Sequence, residues 1–493
     1  MNLVRLIFCA FLLNSCWSYQ VIRELRKQIN DGEIVGRYMT SRTGRTISGF
    51  LGIPFASPPV GNLRFRAPQR LTPWNGTLFT QQQRSKCPQI DTFAGSTVYE
   101  GDEDCLFVNV YVPETKSNSR LDVLVWIHGG GFTLGHGGID SYGPDYLLEH
   151  DVILVAGNYR LGPLGFLSTE DRNSPGNFGL KDQAFLLQWV QDNIAHFGGN
   201  KNSVTIWGES AGAVSVNYQM ISSMSHGLFH RAISHSGGLL DPARPGVALQ
   251  QATALAQQMN CPILDNSFEI VRCLREVSPE DMINAGVSFP LVIESFESDE
   301  TPFIDQSNYN NRFSNFAATP FLAGMNSEES LLYLSAIMEN DVLLAILLST
   351  WDVSLPATFG YSHLNATART DITRSINLFY FENEATPTVQ QLDRQQLMNL
   401  FTDIFLLFIK SVQERIEHIS HSSTFLYLFT HKGKASFSNT TTYLGTAHAD
   451  DLIPLFPIRK TVLQFHPVPA RQRANRGHES NVDEFREIWK SYT

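Results

Sequence analysis

Ser210 lies between two glycines in Gly208-Glu209-Ser210-Ala211-Gly212, a frame suited to a serine used as a nucleophile. The apolar run Val204-Thr205-Ile206-Trp207 reads as a short buried strand ahead of it, and Ala213-Val214-Ser215-Val216 can open a helix behind it. A chain that reverses so sharply from strand to helix would drive side chains on either flank of the serine into collision, and glycine removes the collision. The hydroxyl is left where a substrate can reach it. The pattern alone is weak, because at a glycine usage of about 7% a chain of this size shows one such run by chance on the order of a few tenths of the time.

An activated serine needs a base, and the base needs an orienting acid. In sheets built this way both follow the ends of later strands, in the order serine, acid, histidine. The strand candidate Phe321 to Gly324 runs into Met325-Asn326-Ser327-Glu328-Glu329-Ser330, which offers the acid. Gly445-Thr446-Ala447-His448-Ala449-Asp450-Asp451 follows the strand candidate Thr424 to Thr430 and offers the histidine, in competition with the rest of 14 histidines. Upstream, the β-branched run Leu121 to Ile127 stops in His128-Gly129-Gly130-Gly131-Phe132. A strand ending in three glycines frees backbone N–H groups to face negative charge, although a plain flexible turn is the alternative.

The elements that must position these residues follow a simple order. Val152 to Ala156 is a buried strand candidate, and Leu180 to Phe197 has helical spacing, with Ala184, Leu187, Trp189, Val190 and Ile194 on one face before Gly198-Gly199 stops it. Strand, strand, helix, strand, serine and helix describe an α/β fold with a large, mostly parallel sheet flanked by helices. Cys105 to Val112 and Ala232 to Ser236 are further strand candidates, and a long apolar helix is expected from Leu392 to about Ile416. Gly36 to Pro68 reads as short extended segments broken by turns, because its prolines and glycines exclude a helix. With no repeat, low-complexity tract or linker, residues 19–493 are expected to form one domain.

Charged residues are 17% of the chain and hydrophobic ones 43%, enough for a sizeable core, and the net charge is -11. That sign argues against nucleic acid, whose phosphates need a basic footprint, and against docking on anionic lipid. Met1 to Arg5, the apolar Leu6 to Leu13 and Cys16-Trp17-Ser18 together read as a secretory signal over residues 1–18. No later run approaches membrane-spanning length, so the mature chain is expected to be extracellular and without a membrane span. Its cysteines would then be Cys87, Cys105, Cys261 and Cys273. Three pairings are open to them. The two that join sequence neighbours close short loops worth about 3 kcal/mol each, and buried free thiols are the alternative. Asn75, Asn365 and Asn439 begin glycosylation sequons.

Beyond these features, the chain resembles the type-B carboxylesterase/cholinesterase family of the α/β-hydrolase fold from about Gly36 to Phe456. The resemblance rests on Gly52-Ile53-Pro54-Phe55 through Leu63-Arg64-Phe65-Arg66, Glu103-Asp104-Cys105-Leu106, His128 to Phe132, Asn158-Tyr159-Arg160-Leu161-Gly162, Asn177-Phe178-Gly179-Leu180-Lys181-Asp182-Gln183 and Gly208 to Ala213. Secreted insect-type carboxylesterases are the nearest in kind. The resemblance implies Ser210 as nucleophile, Glu329 as acid with Glu328 as its rival, and His448 as general base. It also implies an oxyanion hole from the N–H groups of Gly130, Gly131 and Ala211. Disulfides Cys87 to Cys105 and Cys261 to Cys273, a hydrogen bond from Ser236 to the acid and an Arg64 to Glu103 ion pair are implied as well. A solvated surface pair, worth under about 1 kcal/mol, is the alternative for the last. Neither metal nor organic cofactor is implied, the partner is a small-molecule ester, and activity is expected to fall below roughly pH 6 to 7 as His448 takes up a proton.

Three departures stand out. Ser330 and Ala449 occupy places where the family usually has glycine, and a positive φ at either would cost about 1 kcal/mol. After about residue 457 the chain is charged and lacks the family's usual closing pattern. The segment between Cys87 and Cys105 reads as a polar surface loop without the tryptophan that cholinesterases use for a cationic ammonium, which argues against choline esters. Glu209 stands where juvenile hormone esterases typically carry glutamine, which argues against that substrate. Esters with apolar acyl or alcohol groups are expected instead. A catalytically silent adhesion or binding protein on the same fold is the alternative reading.

Overall fold

The computed structural model describes residues 24–458 and 464–465, except 94, 117–119, 264–265, 313–318, 404–421, 432, 434 and 439–444. Residues 1–18, Asn439, most of the chain after 458 and the second half of the helix expected up to Ile416 lie outside the described residues.

The chain opens with β1 (Leu25–Ile29), β2 (Gly32–Thr40), β3 (Thr46–Pro54) and β4 (Thr77–Phe79). A small hairpin of β5 (Gln89–Ile90) and β6 (Tyr99–Glu100) lies inside the loop closed by the Cys87 to Cys105 disulfide. Then follow β7 (Phe107–Pro113), β8 (Leu121–Ile127), β9 (Val152–Gly157), β10 (Gly199–Glu209), β11 (Arg231–His235), β12 (Phe321–Asn326) and β13 (Thr424–Phe429). Eleven strands form one sheet in the order β1-β2-β3-β7-β9-β8-β10-β11-β12-β13, with β4 beside β2. Along that order the pairings are parallel from β9 to β13 and antiparallel from β1 to β9, while β4 runs parallel to β2. The expected large, mostly parallel sheet is present, with an antiparallel flank built where the sequence suggested broken segments. There β2 and β3 are each nine residues long. Only the stretch after Pro54 is irregular, with a single 3-10 turn at Gly61–Leu63.

Alternation along the central strands explains why they are apolar throughout. Val123, Val125, Ile127, Ile153, Val155, Val204 and Ile206 pack into the core on one face. Leu124, Trp126, Leu154, Ala156 and Trp207 pack into a second core on the other. Successive strand side chains face opposite ways, so a strand covered on both faces must be apolar at every position. On the second face Trp207 stacks on Phe456 with ring centroids 5.1 Å apart, and Trp126 meets both, at 4.5 and 5.0 Å. Such pairs add about 0.5 to 1.5 kcal/mol each beyond area burial. Phe456 thereby fastens the chain after His448 beneath the sheet.

Four helices bear on the site: α1 (Phe178–Asn193), α2 (Ala211–Ile221), α3 (Leu331–Met338) and α4 (Asp341–Ser349). The first continues into a 3-10 turn that ends at Gly198, φ 88°, as the two glycines require. The last two meet at a bend of 112°, and no single helix among the described residues is long and apolar enough to cross a membrane. The helix expected from Leu392 starts at 394 and is described to 403. It contributes Leu397, Met398 and Leu400 to a third core with Leu331, Leu334 and Ala447. Cys261 pairs with Cys273, so both disulfides join neighbours.

Candidate active site

The parallel register brings the site residues together at the C-terminal ends of the strands. Gly208 pairs with Ile127, Glu209 with His235, His235 with Gly324, and Asn326 with Phe429. The strands therefore end side by side, and His128, Ser210, Ser236, Glu329 and His448 all follow those ends.

At Ser210 the backbone takes φ 55°, ψ -123°, a region that side chains rarely occupy. The turn is held from both sides: the Ser210 N–H donates to His235 O at 2.9 Å, and Ser210 O accepts from Val214 N–H at 2.9 Å. The flanking glycines are required by contact. A Cβ on Gly212 would lie 2.1 Å from Ile127 O, and one on Gly208 2.4 Å from the Gly212 carbonyl. Ser210, half-buried, stands at the N-terminus of α2, whose partial positive charge favours an anion there.

Facing it, Gly130 and Gly131 adopt φ 104° and 60°. The N–H groups of Gly130, Gly131 and Ala211 donate to no acceptor among the described residues, which leaves three donors for a ligand oxygen. The turn is anchored by its neighbours. His128 stacks on Tyr159 at 4.3 Å, and the Tyr159 hydroxyl donates to His128 O at 2.9 Å. Burial pushes His128 down to about 3, so its imidazole is neutral at ordinary pH. Gln89, inside the disulfide-closed loop, exchanges two hydrogen bonds with the Gly135 backbone, at 2.7 and 2.9 Å. That loop is thus a brace for the glycine turn as well as a surface feature.

Glu329 is fully buried, and its Oε2 lies 2.6 Å from His448 Nδ1. Its Oε1 accepts from the Ser236 hydroxyl at 2.5 Å and from the Asn326 N–H at 2.6 Å. Glu328 does something else: its N–H bonds Thr446 O at 2.9 Å, and its side chain fills the space a Cβ on Gly445 would need. The structure thus brings Glu329, not its rival, to the histidine.

The other nitrogen of His448 has an unexpected neighbour. Nε2 is 2.9 Å from Glu209 Oε1, while Ser210 Oγ makes no hydrogen bond to His448 among the described residues. Glu209 has room there because residue 129 is glycine: a Cβ at that position would strike its Oε2 at 2.6 Å. Burial alone would lower the affinity of His448 for a proton, but Glu209 and Glu329 outweigh it and hold the imidazole well above its ordinary value of 6.5. Burial likewise raises Glu209, against the pull of His448. An imidazole between two carboxylates holds its proton more tightly than a free one, which favours an acid limb of activity above the range expected from the sequence.

The turn after His448 explains one departure and dismisses another. Ala449 has φ 69°, in the left-handed region where glycine is favoured, whereas Ser330 has an ordinary φ of -64°. Ser330 instead uses its hydroxyl, donating to Met398 O at 3.1 Å and accepting from Thr402 at 3.0 Å. The Ala449 turn is held by Asp450, which accepts from the N–H groups of Ala447 and Phe437 and from the Ser436 hydroxyl, all at 2.8 Å. Burial pushes Asp450 up to about 7. Further out, Arg64 grips Glu103 through two bonds of 2.7 and 2.5 Å and donates to the carbonyls of Leu274, Arg275 and Val277. It is a buried pair that caps a helix end, not a solvated one.

Sequence reading did not foresee the contact of Glu209 with His448, nor the roles of Asp450, Asp451 and His235.

Comparison with known proteins identifies the family and the fold. Residues 24–466 match the carboxylesterase family. Among relatives, the chain is 36% identical over 86% of its length to Juvenile hormone esterase of Tribolium castaneum, covering 77% of that protein. It is 36% identical over 83% of its length to Esterase FE4 of Myzus persicae, covering 74% of it. The crystal structure of Juvenile Hormone Esterase from Manduca sexta, with OTFP covalently attached, superposes with a TM-score of 0.73 at 28% identity, over 90% of this chain and 85% of that one. The chain belongs to the carboxylesterase family, on an α/β-hydrolase fold, and is a carboxylic ester hydrolase.

Proposed function

We propose that this protein is a secreted serine carboxylesterase that cleaves esters with apolar groups through an acyl-enzyme on Ser210, with His448 as general base and Glu329 as its orienting acid. The observation that carries this reading is the short contact of Glu329 with His448 beside a strained serine turn and three N–H groups without an acceptor among the described residues. In the reaction, Ser210 Oγ bonds to the ester carbonyl carbon as its proton passes to His448 Nε2. The N–H groups of Gly130, Gly131 and Ala211 receive the oxyanion, and each is worth about 3 to 4 kcal/mol of barrier. The carbon–alkoxide bond breaks, His448 returns the proton to the leaving alcohol, and water repeats the sequence to release the acid. Glu209 and Glu329 flank the imidazolium formed at each step. For the first step Nε2 must be unprotonated.

Secretion is supported by residues 1–18 and by two disulfides, bonds that persist in oxidising compartments. Glycans at Asn75 and Asn365 fit exposed positions, and Asn365 Oδ1 caps the helix Ala366–Phe381 while leaving its nitrogen for attachment. Residues 19–493 act as one unit in this reading. The relatives' names raise juvenile hormone as a substrate, and Glu209 in place of glutamine speaks against it; a p-nitrophenyl ester chain-length series beside juvenile hormone separates the two. The core reading is tested with a fluorophosphonate probe. One label per folded chain, abolished in Ser210→Ala, is expected; no labelling, or labelling that survives the substitution, contradicts it.

A further inference from the structure

Next to the His448 to Glu329 pair lies a second histidine–carboxylate pair that the reaction does not use. His235 ends β11 and Asp451 stands three residues after His448, and both side chains are fully buried. Nδ1 of His235 lies 2.6 Å from Asp451 Oδ2. The same oxygen accepts the Tyr427 hydroxyl from β13 at 2.8 Å, and the other carboxylate oxygen accepts Asn326 Nδ2 from the end of β12 at 3.2 Å. Three adjacent strands therefore each send one donor to a single carboxylate on the loop that carries His448. A buried carboxylate is tolerated only when paired and fully bonded, so this convergence fixes the loop at one place.

The connection continues to the reacting groups by two routes. Asn326 Nδ2 is also 3.3 Å from Ser236 Oγ, whose hydroxyl donates to Glu329, and the Asn326 N–H donates to the same Glu329 oxygen. In the other direction, the His235 carbonyl accepts the N–H of Ser210. One residue thus touches the nucleophile through its backbone and the loop of the base through its side chain. Ser236, directly after it, has φ 53°, a strained conformation that persists only where its surroundings impose it.

We propose that His235 is a positioning residue for ester hydrolysis: by anchoring Asp451 it sets the distance between Ser210 and His448 and the seat of Glu329. The inference rests on the assignment of Ser210, His448 and Glu329 proposed above. A residue that only supports the fold would change how much protein is folded. A positioning residue changes the turnover of each folded site, because misplacement of about 1 Å can cost on the order of 100-fold in rate.

The test uses the full-length secreted protein with p-nitrophenyl butyrate, each preparation normalised to sites titrated by a fluorophosphonate. His235→Leu removes the donor and should lower kcat per titrated site by about 30-fold or more with KM within about twofold. His235→Asn places an amide nitrogen near the position of Nδ1 and should recover most of that loss. Should the leucine variant fail to fold, Asp451→Asn and its combination with His235→Asn give the same readout, the pair behaving non-additively if the two residues act as a unit. Wild-type turnover with all folded variants within about twofold of it in kcat, or an asparagine variant as impaired as the leucine one, overturns the inference alone. A wild-type protein that turns over esters without labelling Ser210 overturns the reading beneath it and the inference together.

Discussion

Both the turn that carries Ser210 and the turn that follows His448 force a non-glycine residue into left-handed backbone, with φ 55° at Ser210 and 69° at Ala449, yet they are held by different means. The serine turn is held by main chain against main chain. Gly208 and Gly212 let three backbone segments touch, and nothing in that contact titrates. The histidine turn is held by acids. Asp450 ties it to Ser436 and Phe437, Asp451 to His235, Tyr427 and Asn326, and His448 itself lies between Glu209 and Glu329. A backbone-packed turn is fixed at every pH, whereas a turn held by carboxylates changes its bonding as they gain protons. The nucleophile is therefore the rigid half of the pair and the base the adjustable half.

The sharpest way to break this contrast is to crowd the serine turn. Gly212→Ala puts a methyl group 2.1 Å from Ile127 O, where the three nearest atoms are all backbone of Ile127 and His128 and no flexible side chain can yield. A destabilisation of about 3 kcal/mol is expected from overpacking. A loss of about 100-fold in kcat is expected in whatever folds. Urea titration and kcat per titrated site measure the two effects, and the loss should be the same at every pH.

Glu209→Gln acts on the adjustable half. Activity requires neutral His448, and a base whose proton is held well above 6.5 is lost as pH falls through that raised value. Removing one of its two carboxylates should move the acid limb of kcat/KM to lower pH. An unmoved limb would show that Glu209 does not control the base.

Of the three, Ala449→Gly should have the smallest effect. Relief of the left-handed strain, less the extra entropy of glycine in the unfolded chain, should raise stability by about 0.5 to 1 kcal/mol. A denaturant midpoint that fell instead would mean that the Ala449 methyl, which packs against the core containing Trp126 and Phe456, matters more than the strain.

The same contrast decides what was legible in the sequence. Glycines beside Ser210 and at Gly129 to Gly131 are local marks, because a close approach of backbones can be met by one residue type only. Apolar β-branched runs such as Leu121 to Ile127 marked the sheet for a similar reason, since both of its faces are covered. Glu329 and His448 were legible only through resemblance, as strand ends narrow the search without choosing between Glu328 and Glu329. The pairing of Asp451 with His235 joins residues 216 positions apart. Nothing local distinguishes a histidine that will meet a buried acid from one that will face solvent. In sequence the antiparallel flank at Gly36 to Pro54 looks broken because its glycines and prolines sit within strands that close packing still completes, Gly49 and Gly52 among them.

The covalent step on Ser210 can be observed directly. Rapid acid quench of the wild-type enzyme during turnover of p-nitrophenyl acetate, followed by peptide mapping, should find one acetyl group on Ser210, and none in His448→Ala under the same mixing time. Turnover without an acetylated serine, or with the acetyl group on another residue, would contradict it.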